Sequence, residues 1–250
     1  MHLIIYSTMV KFKPNIVVSD VYGSAGDITA HHRDGETFLR KRSDGGVGRP
    51  RSVAQALRLD VHRRALSAWR DQVADDEKER WNAYAREVEP HRPPFDHSSW
   101  ISGQNLFVSA YHGFYTLGRE QLPVARRFEK FPAFALRVLS GRVEGADLVM
   151  RVEVSGLELL DASRYWLYGQ VQLMPVGRGQ GNSPWKSVLS DGSCAGESVL
   201  LRLRDWQTVW PDVAGALSVQ LYGRFLLLDE VTGFRGQRQG FSGWAKVEQQ

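Results

Sequence analysis

The chain carries a single cysteine, Cys194, in 250 residues. One thiol excludes a disulfide framework and any cysteine-rich zinc site, so stability has to come from packing or assembly in a reducing or an oxidising compartment alike. No apolar run approaches the ~18 residues of a helical membrane span. The N-terminal run Leu3-Ile4-Ile5-Tyr6 is short, follows no basic residue and precedes no small-residue cleavage pattern, which makes it a poor signal peptide. Met9 is an alternative start, and with it residues 1–8 read as an extension or a tail. Strong charge of one sign is also missing. The formal net charge is +4, too small to drive strong nucleic-acid binding by the chain as a whole. No internal repeat recurs at the spacing of a solenoid or propeller.

Catalytic and metal-binding patterns are equally scarce. Ser183-Pro-Trp-Lys186 has the Ser-x-x-Lys spacing of penicillin-recognising enzymes, but that motif must open a buried helix, and Pro184-Trp185 suits a strand edge instead. Gly177-Arg-Gly-Gln-Gly181 is glycine-rich, yet a phosphate cradle needs a helix directly after it, and here a loop leads into a strand. His91, Asp96 and His97 have metal-binding chemistry without ligand spacing. His31-His32 are adjacent on a β segment and face opposite ways. Asp60 and His62 are two apart on a helix and do not face each other. No serine or cysteine completes a triad. The expectation is therefore a non-enzyme with no catalytic residues, no cofactor and no metal.

Aromatic residues are plentiful, with eight Trp and eight Tyr, and hydrophobic content is 42%. The hydrophobic content is ordinary for a domain with a substantial core, whereas the Trp and Tyr are on the rich side and favour β-structure and interfaces. Residues 15–43 hold three β-type clusters, Ile16-Val17-Val18, Ile28-Thr29-Ala30 and Thr37-Phe38-Leu39. Gly23-Ser24-Ala25-Gly26 and Asp34-Gly35 separate them. Such a piece is marginal alone and needs a docking partner. Ser52 and Gln55 then fit a capping box. Leu57, Val61, Ala65, Trp69 and Val73 form one helical stripe, and Trp81, Tyr84, Ala85 and Val88 another. Asp75 is placed to cap the second helix, and the pair reads as an αα-hairpin with Trp69 and Trp81 in its seam. Ser102 opens a third helix.

From Phe134 the period becomes two. Segments near 134–141, 148–154, 165–173, 185–190, 199–204, 217–225 and 241–247 read as seven short strands. That number in roughly 115 residues predicts an immunoglobulin-like sandwich, although no Cys…Trp…Cys signature is present. The predicted class is α+β, mainly β. Its parts are an extended β arm (1–48), a helical region (49–118), a linker (119–133) and a C-terminal immunoglobulin-like (fibronectin III-like) antiparallel β-sandwich (134–250).

Charge is local. Residues 31–64 hold nine basic and four acidic side chains, whereas 134–250 balance at twelve of each. Arg40, Arg42, Arg49, Arg51 and Arg58 are candidates for an interface with a neighbouring subunit. They equally fit a solvated face or phosphate contacts. Trp166, Trp185, Trp206, Trp210 and Trp244 exceed what one sandwich core needs, which makes Trp185 a candidate exposed anchor.

Residues 15–117 resemble a group of uncharacterised proteins from tailed-phage genomes, prophage-like regions and environmental bacteria. The resemblance rests on Gly23-Ser24-Ala25-Gly26, Arg49-Pro50-Arg51, Gln55-Ala56-Leu57-Arg58, Ala68-Trp69-Arg70, Trp81-Asn82 and Ser102-Gly103-Gln104-Asn105-Leu106-Phe107-Val108 in that order. Ser52 stands where relatives usually carry Thr, and Lys78-Glu79-Arg80 where they carry Arg or Gln-Arg. The resemblance implies a structural protein, virion-associated or filament-forming, in a virion or an extracellular assembly, and brings no catalytic residues. The expected function is a structural assembly subunit that contacts its neighbours through the N-terminal arm. The alternatives are a carbohydrate- or protein-binding sandwich and a nucleic-acid-associated protein acting through residues 40–64.

Overall fold

A computed structural model describes residues 9–12, 23–25, 28–33, 36–41, 52–88, 101–157, 161–196 and 198–248. The chain divides into two compact units, Met1–Arg58 and Leu59–Gln250.

The first unit holds an antiparallel sheet of β1 (Met9–Phe12), β2 (Gly23–Ala25), β3 (Ile28–Arg33) and β4 (Glu36–Lys41), in the order β1-β4-β3-β2. Arg33 pairs with Glu36 and Ala25 with Ile28, so two residues separate the paired ends in each case, the commonest hairpin spacing. Gly23–Ala25, read from sequence as a separator, is itself a strand. Ile16-Val17-Val18 lies outside the described residues.

Three helices follow, α1 (Val53–Asp71), α2 (Asp75–Glu87) and α3 (Gly103–Thr116). The capping box at α1 is formed: Gln55 N donates to Ser52 Oγ at 3.2 Å, and Ser52 N to Gln55 Oε1 at 3.1 Å. Ser102 caps α3 by accepting from Asn105 N at 3.2 Å. Asp75 does not cap α2. Ala74 precedes that helix without a side-chain cap, and Asp75, Asp76 and Glu77 form its first turn, where their charge meets the positive end of the helix dipole.

Trp81, Ala85 and Val88 are buried as the stripe requires. Trp69 and Trp81 do not pair directly across an α1/α2 seam. Both pack against Phe107 of α3, with ring centroids at 5.4 and 5.6 Å. The third helix thus supplies the aromatic that brings them together.

Residues 119–133 have no regular structure but do not hang free. Leu122, Ala125, Phe128 and Phe131 pack on the helical core, and Ala125 N donates to Glu77 Oε1 at 2.5 Å.

The seven strands are β5 (Ala135–Glu144), β6 (Asp147–Ser155), β7 (Tyr165–Pro175), β8 (Lys186–Ser193), β9 (Ser198–Leu203), β10 (Ser218–Asp229) and β11 (Gln239–Glu248). They form a closed barrel in the order β10-β11-β5-β6-β9-β8-β7, with β10 returning to pair with β7. All pairs are antiparallel except β11 with β5, where Val247 and Glu248 run parallel to Gly141 and Arg142. The expected immunoglobulin-like sandwich is therefore wrong: this region is a mixed seven-stranded barrel.

The physical reason is specific. A period of two says that one face of each strand is buried, which is as true of a barrel as of a sandwich. Closure depends on β11 bonding to both β10 and β5, and on β8 bonding to both β7 and β9. Register shifts between Val138 and Ser140 and between Trp166 and Tyr168 mark bulges, which increase the coiling that closure needs.

Leu148, Met150 and Val152 of β6, Leu167, Val171 and Leu173 of β7, and Leu221 and Phe225 of β10 fill the interior. The Phe225 ring lies over two glycines. A Cβ on its cross-strand partner Gly169 or on Gly223 would come within 2.5 or 2.1 Å of that ring. The connection between β9 and β10 adds Trp206, Trp210 and Val213 to the same core.

Candidate interface residues

Of the basic candidates, Arg40 lies in β4, opposite Met9 of β1 and Thr29 of β3. Arg42, Arg49 and Arg51 lie outside the described residues, as do His91, Asp96 and His97. Arg58 is exposed on α1 and has no carboxylate partner among the described residues. Its helix also carries an apolar stripe that outruns the core. Val61 and Ala65 are buried, but Val53 is 87% and Leu57 50% exposed. Leu57 was expected to pack with the rest of that stripe, and it does not. Leu66 is a further exposed apolar residue on α1.

Trp185 ends the loop that joins β7 to β8, and that loop is fastened to the outside of the barrel. Gln172, fully buried on the outer face of β7, donates through Nε2 to Gly181 O at 2.9 Å and Ser183 O at 2.5 Å. Tyr222 Oη donates to Arg178 O at 2.8 Å, and Trp210 Nε1 to Pro184 O at 2.8 Å. Trp185 is half-buried, with the Arg224 guanidinium 4.6 Å from its ring centre, a cation–π contact of about 0.5–1 kcal/mol at such a site. One face of the proposed anchor is thus covered. Ser183 lies in the loop and Lys186 opens β8, so no helix starts at the Ser-x-x-Lys pattern. The other surplus tryptophans divide: Trp206 and Trp210 are buried, whereas Trp244, on β11 opposite Gln220, is 56% exposed.

Sequence reasoning missed the polar cluster after β10. Asp229, 4% exposed, accepts two bonds from Arg164, at 2.9 and 2.6 Å. It also accepts from Val231 N at 2.8 Å and Thr232 Oγ1 at 2.7 Å. The carboxylate raises the Arg164 pKa, so this is a fixed charge pair that also shapes the turn. Next to it, Glu230 accepts from Trp166 Nε1 at 2.6 Å and is bonded by Arg119. The only local signal is Asp229 itself with Gly233 four residues later, a weak turn pattern. Nothing in the sequence singles out Arg164, 65 residues earlier, as its partner.

An open cleft of about 530 Å³ lies where β8 diverges from β9 beyond the pair Ser190–Leu201, lined by Lys186, Asp191, Arg202, Arg204 and Asp205 among others. Arg202 is already engaged by Glu144 at 3.0 Å and Asp147 at 3.6 Å. Cys194 is buried, and burial pushes its thiol up to about 12, so it is no thiolate at neutral pH. Among the described residues no three metal-ligating side chains gather. Among these residues no helix is long and apolar enough to cross a membrane.

No protein-family model matches this chain, and no curated protein matches it. Among the described residues the surface carries a sheet whose outer strands are β1 and β2, an apolar overhang of α1 beside Arg58, and Trp185 covered on one face by Arg224.

Proposed function

We propose that this protein is a structural assembly subunit that contacts neighbouring copies through its N-terminal region, as part of a virion-associated or filament-forming array. The observation that carries the reading is the overhang of α1, where Val53 and Leu57 continue a buried stripe into solvent. Helices that end in water seldom extend an apolar face past their core, and such a face is commonly covered by a partner. The β1-β4-β3-β2 sheet supports the same reading. Its outer strands β1 and β2 are edges within that sheet, and an edge strand accepts another chain by strand addition. A repeated head-to-tail contact of this kind builds an open array.

The glycan-binding alternative is weaker, because Arg224 covers one face of Trp185. The test is the double variant Val53→Glu/Leu57→Glu. Neither side chain contributes to the core, so the fold should be unchanged by circular dichroism. Burying such side chains is worth about 1.5–3 kcal/mol each, so association should weaken about a hundredfold or more. Size-exclusion chromatography with light scattering and negative-stain imaging should show assemblies for the wild type and monomers for the variant. A monomeric wild type, or assembly that survives the double change, overturns the reading.

A further inference from the structure

We infer that His62 and His112 form a two-imidazole site for a divalent ion that prefers nitrogen ligands, of the class Zn²⁺, Ni²⁺ or Cu²⁺. His62 projects from α1 into solvent and His112 is half-buried on α3. His62 Nδ1 and His112 Nε2 are 3.5 Å apart, and the rings are nearly parallel, with centroids at 5.7 Å and planes 28° apart. That spacing is long for a hydrogen bond, where nitrogen donors sit ~2.7–3.2 Å from their acceptors. It is close to what one ion needs: two nitrogens at ~2.0–2.1 Å from a tetrahedral ion are about 3.3–3.4 Å apart. A small side-chain rotation closes the difference.

The surroundings narrow the ion. Asp60, on the same helix as His62, is taken by Arg64 at 2.7 Å. With imidazole rather than carboxylate as the donor, Mg²⁺ and Ca²⁺ are poor fits. Arg235 donates through Nη2 to His112 O and Thr116 Oγ1, each at 3.0 Å. Its charge weakens the binding of every divalent ion alike, so the order among them follows intrinsic affinity for imidazole, Cu²⁺ first. The exposed side of His62 leaves the remaining coordination positions to water. A bound ion would tie α1 to α3, and α1 is the helix that bears Val53 and Leu57.

The experiment uses the untagged full-length protein stripped with chelator, titrated with CuCl₂, ZnCl₂ and MgCl₂ by calorimetry. Because the chain has seven histidines, a His31→Gln/His32→Gln variant serves as the control. Loss of a partner that only orients a ligand costs about 10–100-fold in affinity, so loss of a ligand should cost at least that. Cu²⁺ should bind one per chain, and Zn²⁺ more weakly. Both should lose at least about tenfold in affinity in His62→Gln, which sits in solvent and leaves the fold intact, and in His112→Gln. Mg²⁺ should not bind. Bound Cu²⁺ should broaden the imidazole resonances of His62 and His112 in the wild type. Unchanged Cu²⁺ affinity in His62→Gln, loss of binding only in the control variant, or binding only at millimolar concentration overturns the site. None of these outcomes bears on the assembly reading, which rests on Val53 and Leu57.

Discussion

At the scale of single residues, Asp229 is a buried carboxylate held from several sides. Its carboxylate holds Arg164 and two donors of its own turn, Val231 N and Thr232 Oγ1. The Asp229→Ala change therefore removes a charge partner and leaves buried donors unsatisfied at one stroke. Breaking a buried pair costs about 3–5 kcal/mol, and the partial exposure of Arg164 places the expected loss at the lower end, about 3 kcal/mol by urea denaturation. Arg164→Met should cost less, because the carboxylate keeps its turn donors. Equal losses for the two variants would mean that the ion pair, and not the turn, supplies the stability. Trp185 teaches a related lesson. The surplus of tryptophans marked it as an anchor, but the residue that covers one face of it, Arg224, lies 39 positions later in the chain, on β10. Only the folded register brings them together.

At the scale of elements, helix α3 and the turn after β10 meet backbone to backbone. A Cβ on Gly113 would lie 1.8 Å from Gly233 O, and one on Gly233, which has φ +72°, would lie 2.3 Å from Ala110 O. The close approach lets Phe234 reach Trp81, with centroids at 6.3 Å, and Phe128, at 5.7 Å. Gly113→Ala sets two effects against each other. In an isolated helix it gains about 1 kcal/mol, whereas forcing the turn away from α3 costs about 1–3 kcal/mol or more. With backbone atoms on the far side the clash should win, so a lowered urea midpoint is expected, and a stabilised Gly113→Ala protein would refute the close contact. What was legible here was local. Ser52, Gln55 and Ser102 announce helix starts because a cap involves residues three apart, and the stripes of α1 and α2 follow from a fixed helical period. The meeting of Trp69 and Trp81 through Phe107 was not legible, because it depends on where a third helix lies. The free end of the α1 stripe was hidden for the same reason: Leu57 has the spacing of a core residue, and only the packing shows that nothing in the described structure covers it.

At the scale of the whole molecule, the strand positions came from alternation and the architecture did not. Val149, Arg151 and Glu153 alternate with Leu148, Met150 and Val152 in the way any half-buried strand does. What converts seven such strands into a barrel is that β11 serves two neighbours, pairing antiparallel with β10 from Ser218–Lys246 to Phe225–Gln239 and parallel with β5 at Val247–Gly141. Closure makes a strand's removal a different kind of injury. An edge strand lost from a sandwich shortens one sheet and leaves the two-layer core in place. β11 lost from this barrel opens the wall, leaves β5 and β10 each with an unpaired edge, and exposes the core beside Leu221 and Phe225. Such edges and surfaces promote association. Deleting residues 239–250 should therefore abolish the cooperative thermal transition of the barrel and give a species that binds a hydrophobic dye and aggregates. A deletion protein that stays soluble, melts cooperatively and loses only a modest part of its stability would be the behaviour of an open sandwich, and would mean that β11 is an edge and not the strand that closes the wall.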